Sequence, residues 1–182
     1  MMLVLHAVRL KGFADTAAVA ARFGLDPGRT EDDLLDAEAY GHVSRSAFAG
    51  LSGWSLTERG RRHNEAQLRD ELDGAGARDA VGDVHDRFVP LNAHANAAFT
   101  AWQLGTDRGT DTFHALAGQL RGLERALTAR LDRFAGYHER FATALDRSAA
   151  DPAWITGIEV DSCHRVWFEL HEDLVATLGI TR

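Results

Sequence analysis

The sequence predicts a mostly helical protein with one small β-hairpin in its N-terminal half. Apolar residues recur at steps of three and four along most of the 182 residues, which is the spacing of a helix face. Residues 42–56 instead alternate weakly, as paired strands do. Glycines within residues 72–83 interrupt the apolar pattern and predict a linker. We therefore expect an N-terminal domain (1–72), a linker (73–83) and a helical C-terminal domain (84–182).

Capping and turn residues set the expected elements of the N-terminal domain. Asp15 or Thr16 can cap the second helix, and Gly24 can end it. Gly41 ends the third helix, and Thr57 caps the fourth. In chain order we expect helices over 3–13, 16–24 and 29–40, a strand over 42–48, a turn over 49–53, a strand over 54–57 and a helix from 58.

Three short helices followed by a hairpin and another helix resemble a winged helix-turn-helix domain. The resemblance depends on the spacing of Leu34, Ala37 and Gly41, on a strand with Val43 and Arg45, and on the string WSLTERGR at residues 54–61. That string is similar to the strand-to-helix junction of bacterial MarR-like regulators. The resemblance covers the N-terminal domain only and implies a DNA-binding function.

The resemblance implies DNA contacts for residues around the third helix. In winged helices this helix enters the major groove with its first turn at base edges, and the wing and nearby helix starts contact phosphates. The implied base-contacting residues are Arg29 and Thr30, with Glu31 beside them. The implied phosphate contacts are Arg45, Arg59, Arg61 and Arg62. A second interpretation stays open, in which the last three form a solvated helix face with Glu58 and Glu65.

The acidity of the third helix favours a different function. Residues 1–72 carry nine Lys and Arg against eleven Asp and Glu. Carboxylates close to phosphates weaken DNA binding, which is largely electrostatic, although acids near a helix N-terminus also stabilise the helix. The alternative is a winged-helix protein-interaction module that docks a basic partner through this helix. The acids concerned are Glu31, Asp32, Asp33, Asp36 and Glu38.

The C-terminal domain is expected to contain four helices joined by short loops. In chain order these are residues 80–104 with a kink or a new helix at Pro90, 112–134, 137–149, and a last helix that Asp161 or Ser162 caps and that ends at Leu178. Residues 151–157 are expected to form a loop. The second of these helices carries a long apolar seam, which is typical of a bundle or a dimer interface.

The last helix carries polar groups that suggest a binding site. Projected at 100° per residue, it has a wide apolar arc with His164 and His171 near the middle. Its acidic residues, among them Glu169, Glu172 and Asp173, are expected to face solvent. An apolar wall with a few neutral polar groups is typical of a small-molecule pocket between helices. The predicted effector pocket is lined by Asn92, Asn96, Trp102, His164, Trp167, Phe168 and His171. The alternative is that these histidines are ordinary core residues.

Composition excludes several classes of protein. Cys163 is the single cysteine, so an intrachain disulfide and a cysteine zinc site are excluded. We interpret it as a redox-sensor thiol or, more simply, as buried packing. The chain has no P-loop, no GxSxG and no HExxH motif. The histidines of the last helix are seven residues apart, which does not suit a metal pair, and we expect no cofactor, no metal and no catalytic residue.

The sequence contains no apolar run long enough to span a membrane, and its first residues lack the features of a secretion signal. We therefore expect a cytoplasmic protein that does not act on membranes. The leading hypothesis is a homodimeric transcriptional regulator that binds operator DNA and a small-molecule effector. The second is the interaction module. The third is an enzyme of the helical half that uses His164, His171 and Asp161.

Overall fold

The structure, a computed structural model, describes residues 1–48 and 50–180, with the backbone alone at Phe48. The described residues are mostly helical and contain one antiparallel hairpin, as predicted. They divide into two compact units. The first comprises Met1–Glu71, to which residues 179–180 also belong, and the second comprises Leu72–Leu178. Ala49, in the predicted turn, lies outside the described residues.

The first unit begins with three helices that side chains and glycines delimit. Asp15 accepts a hydrogen bond from the Ala18 amide at 2.8 Å, which satisfies a free N–H at the start of the second helix. Asp26 does the same for the third helix through the Arg29 amide at 2.9 Å. The elements are α1 (Met2–Lys11), α2 (Thr16–Arg22), α3 (Pro27–Ala39), β1 (Val43–Phe48), β2 (Leu51–Leu56) and α4 (Glu58–Gly74).

The hairpin is extended by a short third pairing. β1 and β2 are antiparallel, with Arg45 opposite Trp54. The Trp54 amide donates to the Ala14 carbonyl at 2.7 Å, and the Ala14 amide donates back at 3.2 Å. A Cβ at Gly53 would lie 2.9 Å from the Ala14 backbone oxygen, so glycine is needed where this segment crosses β2. The order of helices, hairpin and following helix is that of a winged helix-turn-helix.

A second close approach explains the glycine of WSLTERGR. A Cβ at Gly60 would lie 1.8 Å from the His42 carbonyl oxygen, so only glycine fits in this first turn of α4. Thr57 caps the helix as predicted, because its Oγ1 accepts from the Gly60 amide at 3.0 Å. The Thr57 amide also donates to the His42 carbonyl at 3.0 Å. These contacts fix the start of α4 against the turn that follows α3.

The second unit is built around its last helix. It contains α5 (Arg78–Leu104), α6 (Asp111–Thr128), a 3₁₀ turn (Asp132–Phe134), α7 (Tyr137–Arg147), α8 (Ala153–Thr156) and α9 (Cys163–Leu178). α9 packs against α5, α7 and α8. Eleven of its 16 residues are buried, so α9 is a largely enclosed helix and not an amphipathic surface helix.

Several boundaries differ from the sequence prediction. α5 begins at Arg78, so most of the predicted linker is helical, and Gly82 lies inside α5 between the buried Val81 and Val84. Pro90 neither ends α5 nor starts a new helix. It lies on the exposed face, where water can hydrogen-bond the carbonyl that the missing N–H leaves unpaired. α6 ends at Thr128 rather than at residue 134, and residues 153–156 are helical rather than a loop.

Candidate functional site

α3 presents a buried face and an exposed face. Thr30, Leu34 and Ala37 are buried at helical spacing. Thr30 is 1% exposed and its hydroxyl donates to the Asp26 carbonyl at 2.8 Å, so the prediction that it contacts DNA is wrong. Thr30 lies on the same face of α3 as Leu34 and Ala37, as the helical spacing of these three residues in the sequence already implied. The exposed residues at and beside this helix include Arg29, Asp32, Leu35, Asp36 and Tyr40.

Part of the acidity of α3 is used within the first unit. Glu31 accepts a hydrogen bond from the Thr16 hydroxyl and lies 3.8 Å from the Arg45 guanidinium. Glu38 accepts from the Arg45 amide at 3.3 Å. These carboxylates therefore connect α3 to α2 and to the wing. The exposed acids of α3 are Asp32, Asp36 and Glu38.

Arg45 lies between the wing and α3. Its guanidinium is 5.1 Å from the Trp54 ring centroid, a distance at which a cation is attracted to the ring face. The side chain remains 51% exposed. The Trp54 indole donates to the Thr16 hydroxyl at 3.1 Å, which fixes the ring on which Arg45 rests. Arg45 is thus positioned and accessible to an anion.

The arginines of α4 lie on its exposed side. Arg59 lies close to the end of α3. Its Nη1 is 4.0 Å from the point where a Cβ on Gly41, just after this helix, would lie. Arg62 forms an exposed pair with Glu58 at 3.1 Å, as the solvated-face interpretation predicted for this residue. Arg29 lies near the other end of α3, a helix about 20 Å long. Arg61 is exposed beside them.

A histidine pair near Arg59 was not predicted from the sequence. The rings of His42 and His63 stack with centroids 4.4 Å apart and planes at 9°, and Tyr40 stacks on His42 at 6.1 Å. Burial, followed by the charges of His63 and Arg59, lowers the pKa of His42. The two histidines are 21 residues apart in the chain, on a turn and on a helix. No local sequence pattern could have paired them.

The predicted effector residues largely fill space instead of lining it. Trp167 is 1% exposed and its indole donates to Asn92 Oδ1 at 3.0 Å. His164 packs against Phe99 with ring centroids 4.7 Å apart. His171 lies 5.5 Å from Phe88, and Trp102 is 7% exposed. His164 and His171 are therefore half-buried against aromatic rings of α5, which is between the two interpretations.

Two of the predicted pocket residues face away from the interior. Phe168 is 51% exposed, and Asn96 is exposed. The prediction for Phe168 followed from hydropathy, which placed it in the buried arc of α9. The arc is wrong at Phe168 but correct for most of its members, among them Trp167, Leu170 and Leu174, which are buried. It is also too narrow, because ion pairs hold Glu169 and Asp173 in the interior.

The buried acids of α9 are the main feature that the sequence analysis missed. Glu169 is 2% exposed, Glu172 is 9% exposed and Asp173 is 0% exposed, although all were expected to face solvent. Asp173 pairs with Arg133 and accepts from the Tyr137 hydroxyl at 2.8 Å. The partners lie about 40 residues earlier, so a helical projection of α9 alone cannot show them.

Arg140 forms a second ion-pair cluster. Its Nε and Nη2 each donate to Asp161 at 2.7 Å, and Nη2 also donates to Glu169 at 2.7 Å. Burial acts to lower the pKa of Arg140, but the hydrogen bonds and charges of both carboxylates raise it above its usual value. Asp161, the acid of the enzyme hypothesis, is therefore bound to a guanidinium.

Of the remaining candidate groups of α9, Cys163 is buried and His164 is half-buried. Cys163 is 0% exposed, and burial raises the pKa of its thiol to about 12, which agrees with packing and not with a reactive thiolate. Burial also lowers the pKa of His164. Within residues 1–48 and 50–180 no group of three or more His, Cys, Asp or Glu is placed to hold a metal ion.

Among the same residues, no helix combines the length and the apolar character needed to cross a membrane. Comparisons with known protein families, with curated proteins and with solved structures give no significant match.

Proposed function

We propose that this chain is a transcriptional regulator of the MarR-like winged-helix type. Its first unit binds operator DNA, and its second unit binds a small-molecule effector. The observation that supports this most directly is the arrangement of exposed arginines around α3. Arg29 is near the start of the helix, Arg59 is near its end, and Arg45 lies beside it on the wing.

In this proposal α3 lies in the major groove with its N-terminal turn at the base edges. Arg29 has an exposed guanidinium in that turn and reads the bases. Arg45 and the arginines of α4 contact phosphates, which position the domain without reading sequence. Glu31 is engaged by Thr16 and Arg45, and the Arg45 guanidinium offsets part of its charge beside the phosphates.

The regulator acts as a homodimer, because one winged helix contacts few base pairs and a symmetric pair of half-sites doubles the contact. The effector changes the separation of the two recognition helices and therefore the affinity for the operator. The effector step follows from the resemblance to MarR-like proteins.

The test is the salt dependence of DNA binding by an arginine variant. Removing one arginine that neutralises a phosphate lowers the slope of log K against log [salt] by about 0.9. We expect Arg59→Ala to weaken binding and to lower the slope by about this amount. Arg125→Ala, which removes an exposed arginine of α6, is the matched control and leaves both unchanged. An Arg59→Ala variant with the parent affinity and slope would refute the phosphate contact.

A second function has its own supporting observation. The exposed surface of α3 presents Asp32 and Asp36 next to Leu35, which is 46% exposed, and Tyr40, which is 59% exposed. Acidic residues around apolar ones suit a basic protein partner. Asp36→Arg distinguishes the two functions, because it tightens binding to DNA but weakens binding to a basic partner.

A further inference from the structure

The C-terminal part of α5 is largely exposed but carries no formal charge. Residues 88–104 contain no Asp, Glu, Lys or Arg, although these types make up 26% of the chain. Nine of the residues in this range are exposed. Because charged residues are depleted at the centre of protein interfaces, an exposed helix surface without charge favours contact with another protein surface.

Six of these exposed residues form one stripe along α5. At 100° per residue they fall within an arc of about 100°. Val89, which is 51% exposed, and Leu104, which is 72% exposed, lie at its two ends, and smaller residues lie between them. We call this surface the neutral stripe. It consists of Val89, Ala93, Asn96, Ala97, Thr100 and Leu104.

The neutral stripe is complementary to itself when two copies of α5 lie antiparallel. Its positions are arranged symmetrically about a centre between residues 96 and 97. Val89 and Leu104 are equally far from this centre, and so are Ala93 and Thr100. A two-fold axis at the centre places each residue opposite its counterpart on the second copy, as a contact between two identical surfaces requires. The larger side chains then meet at the ends, and the small ones let the helices approach closely in the middle.

Charge and size also favour a second copy as the partner. The chain has a formal charge of −7, so two copies repel each other where their surfaces are acidic, and the neutral stripe avoids this repulsion. Residues 89–104 extend about 22 Å along α5, and a patch of about 800 Å², which one partner contributes to a standard interface, is about 28 Å across. α9, which packs against α5, adds Phe168. This residue is 51% exposed and directly follows Trp167, whose indole donates to Asn92.

We infer that two copies of this chain associate through the neutral stripe, with α5 of one copy antiparallel to α5 of the other. Val89 of each copy then packs against Leu104 of the other, and Asn96 and Ala97 lie beside the two-fold axis. In the regulator described above this contact is the dimer interface. That role rests on the proposed function; the association itself does not.

The test is sedimentation equilibrium of the full chain in a dilution series without DNA. At micromolar concentration we expect twice the 19.9 kDa mass of one copy. Ala97→Glu brings two carboxylates together beside the two-fold axis, so we expect it to raise the dissociation constant about tenfold or more. Ala115→Glu makes the same change at an exposed position on α6 and is expected to leave the constant unchanged. A parent chain with the mass of one copy, or a dimer that Ala97→Glu does not weaken, would overturn the inference.

A double variant tests the antiparallel arrangement and separates repulsion from a folding defect. In an antiparallel pair, the glutamate of Ala93→Glu faces the arginine of Thr100→Arg on the second copy. We therefore expect Ala93→Glu/Thr100→Arg to dimerise about as tightly as the parent chain. In a parallel pair the like charges would meet instead, so a dissociation constant raised about tenfold in this variant would contradict the arrangement.

The outcomes also separate this inference from the regulator function, because the measurement contains no DNA. A chain that dimerises through the neutral stripe but does not bind DNA would support the inference and refute the regulator function. A chain that binds DNA as a dimer unaffected by Ala97→Glu would retain the regulator function and refute the inference.

Discussion

Asp173 shows how one residue of α9 is tied to distant parts of the chain. It is 0% exposed, and Arg133, Tyr137 and Thr177 surround its carboxylate with donors. A charge with these partners is stable in the interior, but either member of the Arg133–Asp173 pair is costly to bury alone. The pair therefore fixes the 3₁₀ turn, α7 and α9 to one another.

Replacing this carboxylate is expected to destabilise the protein strongly. Asp173→Asn keeps the shape of the side chain but leaves the Arg133 charge buried without its counter-ion, which costs about 3–5 kcal/mol. Urea unfolding measures the loss in the free energy of unfolding. Asp146→Asn, at an exposed position on α7, is the control and is expected to change it little. Equal, small effects of both substitutions would show that the pair is not buried as described.

The His42–His63 stack predicts a pH dependence of stability. The pKa of His42 is lowered in the folded state, so the unfolded chain binds more protons at mildly acidic pH. The contribution of neutral His42 to the free energy of unfolding is therefore complete above the unfolded pKa of about 6.5. It is lost as the pH falls towards the folded pKa. His164, whose pKa burial also lowers, contributes with the same sign.

The measurement is the free energy of unfolding between pH 8 and pH 5 for the parent chain and for His42→Gln. We expect the free energy of unfolding of the parent chain to fall on acidification, and that of His42→Gln to fall less. His94→Gln, at an exposed position on α5, serves as the control and retains it. A parent chain that is more stable at pH 5 than at pH 8 would contradict this prediction.

At the scale of elements, the sequence predicted the features that depend on near neighbours. Thr57 and Asp15 cap the helices that they were expected to cap, because a cap acts within three residues. The hairpin lies where the apolar pattern alternates. The sequence left open whether the helix would continue through Pro90 or start anew there, because the outcome depends on burial of Phe88 and Phe99 against distant residues.

Pro90 provides an element-scale prediction. Alanine at this position restores the hydrogen bond to the carbonyl one turn earlier, and its helix propensity exceeds that of proline by about 3 kcal/mol. The greater freedom of the unfolded alanine chain offsets about 0.4–1 kcal/mol of the gain. We expect Pro90→Ala to raise the free energy of unfolding by about 1–3 kcal/mol in urea. A decrease would mean that proline's fixed backbone angle is needed for the path of α5.

At the scale of the whole molecule, the net charge does not indicate where the proposed DNA-binding surface lies. The chain carries a formal charge of −7, yet exposed arginines lie at both ends of α3 and on the wing. The resemblance in the sequence identified those arginines, but it could not show that Thr30 is buried or that Glu31 is held by Thr16.

The central proposal is that the first unit binds DNA through α3 and the surrounding arginines. Fluorescence anisotropy with labelled DNA from upstream of the gene, against a scrambled duplex at two salt concentrations, tests it most directly. We expect tighter binding to the upstream DNA, and an affinity that falls steeply as salt rises. Absence of binding to either duplex at low salt would contradict the proposal and leave the acidic surface of α3 as a site for a basic protein partner.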